Sequence, residues 1–118
     1  GQVISIKSAD ELATKLNAAS KTSRLAIVYF TAPWSGPCRF YGPKYTRLAE
    51  ENQNVVFLKV DLEEAMQVAA KWNINILPTF YLWKDGETVD KVVDGDFSSL
   101  EKKIGELSAS LSTAIVVA

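Results

Sequence analysis

One cysteine, Cys38, and no histidine occur in the 118 residues. A lone thiol rules out a fold stapled by internal disulfides, the framework of many small secreted domains. It suits a reducing compartment. Without histidine the usual general base is missing, and with one cysteine no plausible zinc site is left. Nothing in the chain implies a metal or an organic cofactor. No long block of like charge occurs either. Lys and Arg number 13 against 14 Asp and Glu, a formal net charge of −1. Nucleic acid or an anionic membrane surface would want a basic patch, so neither is expected as a partner. No signal-peptide pattern or membrane-spanning run opens the chain, and a cytoplasmic location is expected. The leading residue is Gly1, which suggests a cleaved tag or an excised domain.

What is present fits one folded domain. Hydrophobic residues make up 47%, enough to build a single core in a chain of this length. Val3 to Lys7 alternates as a short strand. Ser8-Ala9-Asp10-Glu11 has the form of a capping box, and Leu12, Leu16 and Ala19 follow at helical spacing to about Ser20. Leu25 to Thr31 is a nearly unbroken apolar run rich in strand formers, the pattern of a central strand covered on both faces. Ala32-Pro33-Trp34-Ser35-Gly36-Pro37-Cys38 then turns into a helix expected to reach about Glu51, with Pro37 in its first turn and Pro43 kinking it.

Val55 to Val60 reads as a second buried strand and Glu63 to Trp72 as a short helix with Ala65, Val68 and Ala69 inward. Thr79 to Trp83 and Thr88 to Val93 read as a hairpin across Lys84-Asp85-Gly86. Ser98-Ser99-Leu100-Glu101 repeats the capping-box form and opens a helix to about Ser108. The tail, Leu111 to Ala118, is mostly apolar and carries no charge. The order βαβαβαββα implies a mixed sheet flanked by helices.

Taken singly, the residues around the turn have bland readings. Serine suits a helix start. A lone cysteine is usually a small buried hydrophobe. Trp34 could be core packing, and Pro78 a loop proline. Taken together they resemble the thioredoxin family. The resemblance is carried by Trp34-Ser35-Gly36-Pro37-Cys38, Pro43 five residues after Cys38, Leu77-Pro78-Thr79 and Lys84-Asp85-Gly86, in that order, over roughly residues 3–108. Leu25-Ala26-Ile27-Val28-Tyr29-Phe30-Thr31-Ala32 and Val56-Phe57-Leu58-Lys59-Val60-Asp61 are similar to plant h-type domains. They are most similar to the thioredoxin domain at the C-terminus of plant tetratricopeptide-repeat thioredoxins, which interact with heat-shock chaperones. On that resemblance the repeat region is absent here.

The resemblance implies a thioredoxin-like α/β fold, a mixed central sheet with four helices, over residues 1–110, followed by an apolar tail at 111–118. It implies thiol–disulfide exchange on disulfide-containing target proteins, with electrons from a thioredoxin reductase or a glutathione system. In the family the first cysteine of the motif attacks and the second resolves. Here Ser35 holds the attacker's position and Cys38 the resolver's. A serine hydroxyl does not ionise near neutrality and forms no disulfide, so an inactive or strongly impaired oxidoreductase is expected. Ser35 is either an engineered replacement, the reading preferred because the rest of the motif is kept, or a natural single-cysteine variant. In the second case the domain would be a non-catalytic peptide-binding or chaperone-associated module.

By the same resemblance Trp34, Gly36, Pro37, Leu77 and Pro78 shape a peptide site. A cis bond is expected before Pro78, with the Leu77 backbone placed against Cys38. Three departures stand out. Many thioredoxins bury an aspartate as a proton relay where this chain has Tyr29, so the relay's lysine, Lys59, is free to point outward as a solvated side chain. Asp94, followed by Gly95, replaces the glycine expected before the last helix. The tail exceeds the family domain, and packing on the domain, a dimer contact and added residues are all open for it.

Overall fold

A computed structural model describes residues 1–93 and 96–117, with side chains described as far as Ser108. Its elements run β1 (Val3–Ser5), α1 (Ala9–Lys21), β2 (Ala26–Thr31), α2 (Gly36–Glu51), β3 (Val56–Asp61), α3 (Leu62–Lys71), β4 (Thr79–Lys84), β5 (Glu87–Val93) and α4 (Phe97–Val117). The sheet order is β1-β3-β2-β4-β5. β3 lies parallel to both β1 and β2, while β4 runs antiparallel to β2 and β5. This is the thioredoxin-like fold expected, a five-stranded mixed sheet with four helices.

Strand β2 sits at the centre, and all six of its residues are buried. That explains its unbroken apolar run, since a strand covered on both faces has no polar side to present. Its odd-numbered residues Ile27 and Tyr29 join α2 (Tyr45, Leu48, Ala49) and α4 (Leu100, Ile104) in one core layer. Its even-numbered residues Ala26, Val28 and Phe30 join α1 (Leu12, Leu16, Ala19) and α3 (Ala65, Val68, Ala69) in the other. Tyr45 ties the first layer to the sheet. Its hydroxyl donates to the carbonyls of Leu58 (2.8 Å) and Ile27 (3.3 Å) on adjacent strands.

Local chemistry sets the boundaries. The Ser8 hydroxyl accepts from the Glu11 amide at 3.1 Å, as a capping box requires, but the Glu11 carboxylate reaches one residue further back, to the Lys7 amide. The hairpin turn places Asp85 at φ 51° and Gly86 at φ 87°, the left-handed pair that matches strand twist. Pro43 lies inside α2, which runs as one element past it. Inside α3, Ala65 leaves helical geometry (φ −141°, ψ 50°).

Two expectations are corrected at the last helix. It is capped by Asp96, whose carboxylate accepts from the Ser99 amide at 3.2 Å, and Ser98 is already inside it. A carboxylate at the helix start also opposes the positive end of the dipole. The helix does not stop near Ser108. Its backbone continues to Val117, so the apolar segment from Leu111 prolongs α4. Asp94 and Gly95 lie outside the described residues.

Candidate active site

The strand-to-helix turn after β2 builds the site. Ser35 is the N-cap of α2 by backbone position, with extended geometry (φ −91°, ψ 116°), yet its hydroxyl makes no capping hydrogen bond. Its suitability as a helix-start residue is therefore not used by the side chain. Pro37 falls in the first turn, where a missing amide hydrogen costs nothing. Arg39 closes the turn, its amide donating to the Ser35 carbonyl and its guanidinium to the Pro33 carbonyl. Gly36 and Pro37 are exposed, and Trp34 is 60% exposed, so it is a surface side chain and not part of the core.

Cys38 lies one turn inside α2 and is 3% exposed. It is a free thiol. The bond between Leu77 and Pro78 is cis. Phe30 pairs with Thr79 across β2 and β4, so the antiparallel register carries Pro78 and Leu77 alongside the start of the motif loop. Leu77 is half-buried and Pro78 buried. Ile76, just before them, is exposed.

Beneath Cys38 is a cavity of about 220 Å³, lined by Tyr29, Thr31, Cys38, Arg39, Lys59 and Asp61 among others. Strand parity explains the membership. Tyr29 pairs with Lys59 and Thr31 with Asp61 in the parallel β2–β3 ladder, so these four alternate onto the sheet face that α2 covers. The Tyr29 phenol donates to the Cys38 carbonyl at 3.2 Å. Its ring stacks on Phe80 and meets Tyr45, with both centroids at 4.7 Å. Desolvation pushes its hydroxyl up to about 12. The nearby Cys38 and Asp61 push in the same direction, and the Thr31 hydroxyl opposes them. Tyr29 therefore stays protonated near neutrality and braces the first turn of α2.

Lys59 is half-buried and lines the cavity. Sequence reasoning missed Thr31, Arg39 and Asp61. The signal for Asp61 was there. It follows an apolar strand and precedes a helix, and its carboxylate does cap α3 through the Glu63 amide at 2.9 Å. Its place beneath Cys38 needed the register.

A turn into a proline-bearing helix, a thiol one turn inside it and a cis-proline loop alongside together define a protein of the disulfide-exchange class. The thioredoxin family profile matches residues 4–106. The chain belongs to the thioredoxin family, whose members are thiol–disulfide oxidoreductases acting on disulfide-bonded targets. It is 56% identical over 110 residues to the TPR repeat-containing thioredoxin TDX of Arabidopsis thaliana, covering 93% of this chain and 29% of that protein. It is 42% identical to an H-type thioredoxin of Picea mariana, covering 96% and 90%. The chain thus spans under a third of the Arabidopsis relative and nearly all of the H-type one. Among solved structures, a poplar wild-type thioredoxin h superposes with a TM-score of 0.83 at 34% identity, covering 91% of this chain and 96% of that one. No helix among the described residues is long and apolar enough to cross a membrane.

Proposed function

We propose that this domain is a thioredoxin-type protein-disulfide reductase whose attacking position is occupied by Ser35, leaving it inactive or strongly impaired as it stands. The observation that carries the reading is the pairing of an unengaged Ser35 hydroxyl at the α2 N-cap with a buried Cys38 thiol one turn on. In the family reaction a thiolate at the first position attacks the target disulfide, and the second thiol releases the target from the mixed disulfide. Backbone amides at a helix start favour such a thiolate. A serine there has no comparable anion and no S–S chemistry. Cys38 keeps the resolving role. Trp34, Gly36 and Pro37 form the exposed rim of the peptide site, with Leu77 and Pro78 as its wall.

On this reading Ser35 replaces a cysteine in an otherwise intact motif. The partners are disulfide-bonded proteins in the cytoplasm, and a thioredoxin reductase or a glutathione system is the electron donor. In a longer protein with tetratricopeptide repeats, heat-shock chaperones would be further partners. A second reading, a non-catalytic peptide-binding module, is favoured by Tyr29. It fills the relay position and spends its proton on the Cys38 carbonyl.

The test is Ser35→Cys. Insulin reduction with a dithiol reductant is near zero in the unaltered chain and rises to multiple turnovers in the variant. Adding Tyr29→Asp speeds the resolving step further, provided the variant folds. A folded Ser35→Cys chain that stays inert establishes the binding-module reading instead.

A further inference from the structure

The cavity under Cys38 has a wall to which the exchange reaction assigns no role. Its 220 Å³ is room for several waters, each taking about 30 Å³ in the liquid. Among the described lining residues only one is of a type that accepts a proton at neutral pH. The Tyr29 phenol is held protonated and already donates to the Cys38 carbonyl. Lys59 and Arg39 are of cationic type, with no free lone pair to offer. Thr31 is neutral. The exception is Asp61, the only carboxylate among the described residues of the wall. One of its oxygens accepts from the Glu63 amide, and no second donor among the described residues is bonded to the carboxylate.

Resting on the oxidoreductase reading, we propose that Asp61 is the proton acceptor for Cys38, reached through water in this cavity, in place of the buried carboxylate that Tyr29 displaces. The steps balance. The Cys38 thiol gives its proton to cavity water, which passes one to Asp61. In a chain with cysteine at position 35, the Cys38 thiolate then attacks that cysteine's sulfur in the mixed disulfide. The 35–38 bond forms, and the bond to the target breaks. The target sulfur leaves reduced as a thiolate and takes a proton from solvent. Asp61 returns its proton to solvent through the cavity mouth. Lys59, two residues away on the same strand face, supplies the positive charge that keeps two anions tolerable in one cavity. Among the described residues, the charged and titratable groups around Asp61 are then Tyr29 from β2, Cys38 and Arg39 from α2, Lys59 on its own strand, and Glu63 at the start of α3.

Asp61→Asn is the discriminating variant, because asparagine keeps the oxygen that caps α3. In the Ser35→Cys background, single-turnover release of target from the mixed disulfide slows by about a hundredfold or more, the usual scale of a lost proton acceptor. The pH dependence of that step flattens, while formation of the mixed disulfide is unchanged. Asp61→Glu restores part of the rate. The unaltered chain supplies a readout that needs no turnover. Removing the Asp61 charge shifts the rise in thiolate ultraviolet absorbance of Cys38 to lower pH, because one anion near the thiol is gone. An unchanged absorbance curve overturns the proposal even if Ser35→Cys is inert, and so separates it from the oxidoreductase reading. An unchanged release rate and pH profile in an active Ser35→Cys chain overturns it as well.

Discussion

The Tyr29 hydroxyl, buried at the centre of the sheet, donates a 3.2 Å hydrogen bond to the main-chain carbonyl of Cys38. Strand β2 and the first turn of α2 are thereby joined at Cys38. Where the family's relay position carries a carboxylate, a proton acceptor sits beneath the thiol. Here a donor sits there, and its bond restrains the turn.

Replacing Tyr29 with Phe removes that bond and the phenol's hydrogen bond with Thr31, while the ring keeps its stack on Phe80. The expected loss is about 1 kcal/mol of stability, read from urea denaturation at neutral pH. The alkaline side gives a sharper signature. Burial pushes the folded phenol up to about 12, from an ordinary value of 10.0. The stabilisation is complete below the unfolded value and is lost as pH rises from there through the folded one. The contribution is about 2 to 3 kcal/mol at most. Urea midpoints measured from pH 9 to 11.5 should fall more steeply in the unaltered chain than in Tyr29→Phe. Parallel slopes would mean that the phenol does not carry this loss.

Tyr45 bridges two strands from within the same core layer, donating to the Leu58 and Ile27 carbonyls. Burial holds its hydroxyl well above its ordinary range. Tyr45→Phe keeps the contacts with Phe57 and Phe80 but deprives buried carbonyls of a donor. The expected cost is about 1 to 3 kcal/mol, with the fold retained in far-ultraviolet circular dichroism.

Cys38 is shielded by the helix that carries it, at 3% exposure. A thiol reagent should label it slowly in the native chain and rapidly in denaturant, because attack needs an accessible thiolate. Native labelling at the denatured rate would show the first turn of α2 opening freely, and would make Cys38 a reactive monothiol.

Asp90 on β5 and Lys103 on α4 form an ion pair at 2.7 Å. The Lys103 hydrogen bond, helped by the Lys91 amide, holds the Asp90 carboxyl below its ordinary value. Any stability drawn from it is present above the unfolded carboxyl range and fades as pH falls through the lowered one. Carbon-detected NMR titration should move the Asp90 midpoint upward in Lys103→Ala. The melting temperature near neutrality should change little, since both partners are substantially exposed.

Much of the architecture was legible because it is written locally. Hydrophobic period separated strands from helices, and Leu25–Thr31 announced a strand covered on both faces. Asp85-Gly86 specified its own turn through the left-handed backbone it tolerates. The end of α4 was not legible. An uncharged apolar stretch without a proline or glycine stop reads as a tail, although nothing in it forbids the helix from continuing to Val117. Its cap was misread for a related reason. Ser98 and Asp96 are both competent caps, and the backbone entering from β5 chose Asp96.

The sequence by itself determined the order of elements, the turn that starts α2 and the serine at that helix's N-cap, since each depends on residue type at short range. Tertiary structure alone decided what lies under Cys38. The parallel register sets Tyr29 beside Lys59 and Thr31 beside Asp61. That places a phenol on the Cys38 carbonyl and a carboxylate in the cavity below. Residues some 30 positions apart in the chain meet there, and pairing register, a property of two strands together, is not encoded in the local pattern of either one.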